Sequence, residues 1–240
     1  MKRQNIRRLV IISSMLLFPI TIYYLSPYLI IQGALEGVIN GSFIVFCGML
    51  LSGIFFGRLF CAYLCPAGGL GECATLIKDK GPKQGWRNYI KYVIWVLWIS
   101  GVIVSFVFRS KEISVDFFYM TEYGISVSNV YAYIVYYGII LLFFIPAVVA
   151  GKRAMCHYIC WMAPFMVIGS KIGTLLHIKQ LRLEGTKDKC INCHACDKAC
   201  PMSLKVSEKV QTENMRDSEC ILCGACIDCC PKKAIVYKMK

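Results

Sequence analysis

Long unbroken apolar runs fill the first 150 residues of the chain and then give way to a polar, cysteine-rich tail. Four runs are long enough to span a bilayer: Leu9 to Leu25, Val38 to Gly57, Tyr92 to Phe108 and Val130 to Ala150. Each lies near the ~17 to 25 residues that a membrane helix needs. Pro19 and Pro146 fall inside two of them, where a kink is tolerated if neighbours satisfy the freed carbonyl. Beyond the fourth run, "FMVIGSKIGTLLHI" predicts a short helix on the membrane surface, and "KQLRLEGTKDK" reads as a linker. The alternation from Lys232 to Lys238 predicts a small strand beside the tail's cysteines. The expected fold is mainly α: a four-helix transmembrane bundle over residues 1–180, then a small α+β domain over 181–240.

Composition sharpens this picture. Of the 240 residues, 57% are hydrophobic, and the formal charge is +13. Such a charge can signal nucleic acid, but the cations flank apolar runs as positive-inside anchors do, and no nucleic-acid motif accompanies them. Lys2, Arg3, Arg7 and Arg8 precede the first span. Arg58, Lys78, Lys80, Lys83, Arg87 and Lys91 fill the second connection, and Lys152, Arg153 and Lys171 follow the fourth span. The opposite connections hold only Arg109 and Lys111, against Glu36, Glu112, Asp116 and Glu122. A multi-pass protein of the cytoplasmic membrane with both termini cytoplasmic follows. "MKRQNIRR" leads into an apolar run with no small-residue cleavage site, so the first helix is expected to stay uncleaved.

The tail carries the strongest chemical signal. "CINCHACDKACP" from Cys190 and "CILCGACIDCCP" from Cys220 are two copies of C-x2-C-x2-C-x3-C-P. In such runs three close thiolates grip one [4Fe-4S] cube and the fourth cysteine ligates the other. One cluster is therefore assigned to Cys190, Cys193, Cys196 and Cys230, and a second to Cys220, Cys223, Cys226 and Cys200. Disulfides or zinc sites are the rival uses of dense cysteines, and two complete runs in a reducing compartment argue against both. Cys229 lies outside the pattern as a spare thiol.

The membrane part has a repeat of its own. "GRLFCAYLCP" at Gly57 to Pro66 recurs as "KRAMCHYICW" at Lys152 to Trp161, with Arg58 matching Arg153 and Tyr63 matching Tyr158. Both copies are C-x3-C after an even-numbered span, which implies two parallel halves about an axis along the membrane normal. Residues four apart share a helix face, so Cys61 pairs with Cys65 and Cys156 with Cys160. Brought face to face, the pairs make a four-thiolate site for a metal ion or a further iron-sulfur centre. Two packing pairs or a switchable dithiol are the plainer readings.

The "FFGRLFCAYLCPAGGLGE" stretch, the second C-x3-C, the four spans and the two tail runs together resemble the NapH-like membrane-bound 4Fe-4S ferredoxins. The resemblance implies a quinol-dehydrogenase membrane subunit, an electron-transfer component of an oxidoreductase, with quinol and a redox protein as partners besides the lipid bilayer. Trp161 stands where that family has proline, with Pro164 three residues on. Neither a flavin-binding domain nor an extra C-terminal domain like those of related branches is recognisable.

Other chemistry is sparse. The three histidines, His157, His177 and His194, are not placed mid-span, so a bis-histidine haem is not expected. His157 is the best candidate for proton handling near a quinone, although a plain boundary residue is the commoner case. Glu72 reads as a solvated helix-start carboxylate, with an acceptor of a quinol proton as the rival reading, "PAGGLGE" as close backbone packing, and Cys47 and Cys73 as small apolar residues. Three functions follow: electron transfer between a membrane quinol and the tail clusters, copper reduction or handling at the C-x3-C pairs, and a redox-sensing or anchoring subunit.

Overall fold

The computed structural model describes residues 2–79, 81–82, 85–108 and 112–240. Lys80, Lys83, Arg109 and Lys111 lie outside the described residues.

Helix α1 (Lys2–Leu16) starts well before the expected first span and stops before Pro19. A short α2 (Phe18–Thr21) and a 3-10 turn (Tyr23–Leu25) follow, so the predicted Leu9–Leu25 span is broken. Proline lacks the N–H that would continue the ladder, and the loop before the fourth span covers carbonyls left open at the break. Val127 N donates to Pro19 O at 3.1 Å and Ser126 Oγ to Ile20 O at 2.6 Å.

An unforeseen α3 (Pro27–Glu36) fills the first connection, with Ser26 accepting from Leu29 N at its start and Gly37 left-handed at its end. The second predicted span opens as a strand, β1 (Val38–Asn40), before α4 (Gly41–Phe56), because Asn40 caps the helix by accepting from Phe43 N at 3.0 Å. The motif helix α5 (Leu59–Tyr63) and α6 (Pro66–Ala74) follow. Helix α7 (Ile90–Phe108) covers the third predicted span, and β2 (Ser114–Asp116) pairs in parallel with β1. Helix α8 (Val130–Ala150) occupies the fourth predicted span, with Asn129 capping it and Pro146 inside. Then come α9 (Ala154–Tyr158) and α10 (Ala163–Leu175). Among the described residues two helices are long and apolar enough to cross a membrane, those ending at Phe108 and Ala150.

The two halves exchange helices. Each helix after a motif packs on the first long helix of its own half and the second of the other: α6 on α1 and α8, α10 on α7 and α4. Glycine permits these approaches, since a Cβ on Gly69 would lie 2.8 Å from Ile11 O and one on Gly53 2.8 Å from the Met166 Cα. Helix α10 therefore does not merely lie on a surface: Met166, Val167, Gly169 and Gly173 are buried.

The expected linker contains strand β3 (Leu181–Gly185), which pairs antiparallel with the last strand of the chain, Ile235–Met239. Between them lie α11 (Ala195–Ala199), α12 (Val206–Gln211) and α13 (Ala225–Asp228); the last strand is β3's partner, β4. The tail is docked firmly on the helical body. Gln180 Nε2 donates to Ile54 O at 2.7 Å, Gln4 Nε2 to Cys223 O at 3.0 Å, and Arg3 bridges to Asp228 at 2.7 Å. One continuous core runs from Phe46 and Met166 through the four C-x3-C cysteines to Cys200, Cys223 and Ile235.

Candidate functional site

The two cysteine runs of the tail fold alike. Left-handed backbone recurs at matching positions: Asn192 and Leu222 (φ 53° each), His194 and Gly224 (φ 56° and 72°), Ser203 and Lys233 (φ 53° and 50°). Outside glycine such a conformation costs ~1 to 3 kcal/mol and persists where the surroundings over-determine it. Here it bends each loop round a hollow. One small cavity is walled by Cys190, Cys193, Cys196 and Cys230, the other by Cys200, Cys220, Cys223 and Cys226. The crossed sets read from spacing are thus the sets the fold brings together. Leu204 N points at Cys200 Sγ (3.5 Å) and Ala234 N at Cys230 Sγ (3.3 Å), hydrogen bonds of the kind that tune cluster potentials.

The two cradles differ in exposure. Cys200, Cys223 and Cys226 are buried against the helical body and Cys220 is half-buried, whereas Cys193 is exposed and Cys190, Cys196 and Cys230 are half-buried. The first therefore faces inward, the second faces solvent. Tyr237 of β4 donates to Leu222 O at 2.6 Å and fixes the inner loop.

The C-x3-C pairs also converge. Cys61, Cys65, Cys156 and Cys160 are all buried in one cluster, and each of the other three acts on Cys65 electrostatically. Burial pushes the Cys160 thiol up to about 12, with Cys156 and Cys61 adding to it. Four thiolates are tenable there only with compensating positive charge. Among the described residues no three His, Cys, Asp or Glu side chains come close enough to share a single ion. A cube, which interposes its own irons, needs wider spacing than one ion with thiolates ~2.3 Å away. The surroundings suit such a group. Arg58 and Arg153, each three residues before the first cysteine of its motif, are 2% and 1% exposed. Arg58 Nε and Nη2 and Arg153 Nε are buried donors with no partner.

Each arginine is held by a carboxylate. Arg153 Nη2 and Arg7 Nη1 share Glu72 Oε1 at 2.9 and 2.8 Å. Glu72 is therefore no solvated helix-start residue: α6 places it next to two cations from two other segments. Arg58 and Lys91, the corresponding pair in the other arrangement, share Glu219 instead, with Arg58 Nη1 3.0 Å from its Oε2. By the repeat, seven residues past the second cysteine of each motif, Glu72 corresponds to Val167. The second half lacks its own carboxylate, and the tail supplies one from the residue before Cys220. His157 is fully buried beside it, Nδ1 3.6 Å from Glu219 Oε2. Burial pushes its imidazole down to about 4, with Glu219 opposing and Arg58 and Lys91 reinforcing the fall.

Burial alone would raise the Glu72 pKa, but the hydrogen bonds and charges of Arg7 and Arg153 outweigh it and bring the value to about 2. A depressed carboxylate stabilises the fold above its unfolded pKa and loses that contribution as pH falls through the folded value. Acidification from pH ~5 towards ~2 should therefore lower the thermal midpoint, a loss of about 3 kcal/mol from this group. Glu72→Gln should flatten that part of the profile; an unchanged acid limb would contradict the assignment.

A larger cavity, about 560 Å³, lies in the helical body. Its wall includes Pro66 and Ala67, directly after Cys65, and Trp161 and Met162, directly after Cys160, and follows α8 from Asn129 to Phe143. Gln32, Tyr28 and Asn129 add polar groups, and Trp161 Nε1 is buried without a partner. His157 is not among the lining residues. Sequence reasoning missed the cavity and Glu219, since neither has a periodic or motif signal. The departure at Trp161 was the visible clue to the first.

Comparison with known proteins agrees with this layout. Residues 189–235 match a 4Fe-4S dicluster domain family, and a 4Fe-4S binding domain family matches twice, at 41–84 and 132–179, once on each C-x3-C copy. An uncharacterized protein of Methanocaldococcus jannaschii is 27% identical over 64% of this chain and 63% of its own length. A protein of Escherichia coli named for electron transport, YccM, is 22% identical over 78% of this chain and 54% of its own length. The methylamine utilization ferredoxin-type protein MauN of Paracoccus denitrificans is 24% identical, covering 73% and 60%. The chain thus spans less than two thirds of each of these relatives. No solved structure matches. The chain carries 4Fe-4S domains of ferredoxin type, and its named relatives are electron-transport and ferredoxin-type proteins.

Proposed function

We propose that this chain is a multi-pass membrane protein moving electrons between a quinol in the bilayer and [4Fe-4S] clusters in a cytoplasmic tail. In this reading α7 and α8 span, α1 with its broken continuation and α4 complete a four-span bundle, and both termini are cytoplasmic. Cys190, Cys193, Cys196 and Cys230 hold the outer cluster, and Cys200, Cys220, Cys223 and Cys226 the inner one. Cys61, Cys65, Cys156 and Cys160 hold a further iron-sulfur centre between the inner cluster and the cavity. Such clusters supply one-electron carriers whose potentials span about −700 to +450 mV, set by burial and hydrogen bonds to sulfur.

The observation that carries the reading is the position of the 560 Å³ cavity beside the residues that directly follow Cys65 and Cys160. Its volume is in the range of sites for drug-sized ligands, about 300 to 1,000 Å³. The stretch of α8 along it, Asn129 to Phe143, reaches about 21 Å at 1.5 Å per residue, so a flat ring can approach the thiols while an apolar tail stays in lipid. Tyr28, Gln32 and Asn129 supply polar groups of the wall that a ring oxygen can meet.

The test is bleaching of cluster absorbance by quinol in membranes. Ala67→Trp fills the cavity and should abolish it. Reduction by dithionite should be unaffected. Normal bleaching in Ala67→Trp would remove quinol from this cavity. One observation favours a second reading, copper handling: Met166 Sδ lies 3.9 Å from Cys61 Sγ, a soft donor pair. Stoichiometric Cu(I) binding that is lost in Met166→Leu would support it.

A further inference from the structure

The tail's carboxylates are distributed unevenly. Glu219 and Asp228 are turned towards the helical body and taken up by Arg58, Lys91 and Arg3. Others are paired within the tail: Glu184 with Lys238, Glu208 with Lys205, Asp217 with Lys209. Asp197 accepts from Ser207 Oγ at 2.6 Å, beside His194. Docking the tail thus consumes negative charge on its inner side and leaves positive charge on the outer one.

That outer side is the rim of the solvent-facing cradle. Lys189 and Lys232 line it together with Cys190, Cys193 and Cys230. Lys187 lies on the same 3-10 turn as Lys189, Lys198 on the α11 turn that carries Cys196, and Lys233 on the left-handed turn after Pro231. All five lysines are exposed, and among the described residues none forms an ion pair. Asp188 lies between Lys187 and Lys189, Glu213 accepts from the Lys187 backbone N–H, and Asp228, four residues before Lys232, is engaged by Arg3. Cys193 and Ile191 line the same cradle as Lys189 and Lys232, Ile191 being 58% exposed.

We propose that this lysine-rimmed face is the docking surface for an acidic redox protein, seated over the outer cradle with Ile191 and Cys193 at the centre of the contact. The proposal rests on the cysteine assignment given above, not on the quinol reading. The carrier at Cys190, Cys193, Cys196 and Cys230 is the one open to a soluble partner, since the inner cradle is covered by the body. Cations spread round an apolar centre steer an oppositely charged partner and fix its orientation. They also keep a basic redox protein away.

The test is binding rather than turnover. The full chain, reconstituted with iron and sulfide in phosphatidylcholine nanodiscs, is titrated with zinc-substituted rubredoxin, an acidic probe that accepts no electrons. Affinity should fall roughly tenfold or more as salt rises from ~20 to ~200 mM. Changing Lys187, Lys189, Lys198, Lys232 and Lys233 to Glu together should weaken low-salt binding by a similar factor. The control Lys171→Glu, Lys179→Glu, Arg216→Glu should stay within about twofold, because those cations lie away from the rim. Iron content, measured on both, separates loss of the clusters from loss of the face. Equal effects from the two sets, or none from the first, overturn the proposal. So does lysine-dependent binding that vanishes when the discs contain phosphatidylglycerol, since the face would then lie on the membrane.

Discussion

Glu219→Ala should detach the tail from the helical body and destabilise the protein by about 3 to 5 kcal/mol, the cost of breaking a buried ion pair from one side. The carboxylate, 5% exposed, is the counter-charge of both Arg58 and Lys91, which are 2% and 0% exposed. Removing it leaves two cations in a core that also holds the C-x3-C thiols. Glu219→Gln should cost less, because an amide oxygen still accepts from one donor. The repeat offers a sharper test. Val167→Glu places a carboxylate where Glu72 sits in the first half, and Val167 and Arg58 line the same cavity. It should restore part of the stability lost in Glu219→Ala without restoring tail docking. Hydrogen exchange of β3 and thermal denaturation would read the two effects separately. A Glu219→Ala protein with wild-type exchange in β3 would refute the latch.

Cys61→Ser combined with Cys156→Ser should abolish quinol-driven bleaching of the tail clusters while leaving their reduction by dithionite intact. Serine keeps nearly the same volume, so the side-chain exchange itself should leave packing around Met166 and Ala163 intact, and loss of stability beyond that reports loss of the bound centre. What changes is one thiol from each half of the C-x3-C set. If the pairs only pack helices, bleaching by quinol continues at the wild-type rate. Arg58 and Arg153 make that outcome hard to explain, since two buried guanidinium groups beside neutral thiols would then carry unpaired donors for no gain.

Much of this was legible where chemistry dictates spacing locally. The spacing of the tail cysteines groups them into two crossed sets of four, and the fold walls one hollow with each set. The uninterrupted run from Val130 to Ala150 is a helix with those ends. Legibility failed where tertiary context decides. Pro19 splits the first run because a loop 100 residues later satisfies the exposed carbonyls. Helix α3 carried a readable signature, Ser26 then Pro27 at one end and Gly37 at the other, but its apolar residues blended into the neighbouring spans. Strand β3 was hidden in a polar linker, since its pairing partner lies at the far end of the chain. Glu219 could not be found by pattern at all. Its only trace was an imbalance: Arg58 and Lys91 in apolar surroundings with no acid near them in the sequence.

A third iron-sulfur centre at the seam of the two halves is tested most directly by iron and acid-labile sulfide per chain with redox-poised EPR. The wild-type protein in nanodiscs should hold about 12 irons in three separately titrating centres. Changing Cys61, Cys65, Cys156 and Cys160 to Ser should lower this to about 8 and remove one signal only. About 8 irons in both proteins, with identical spectra, would contradict it.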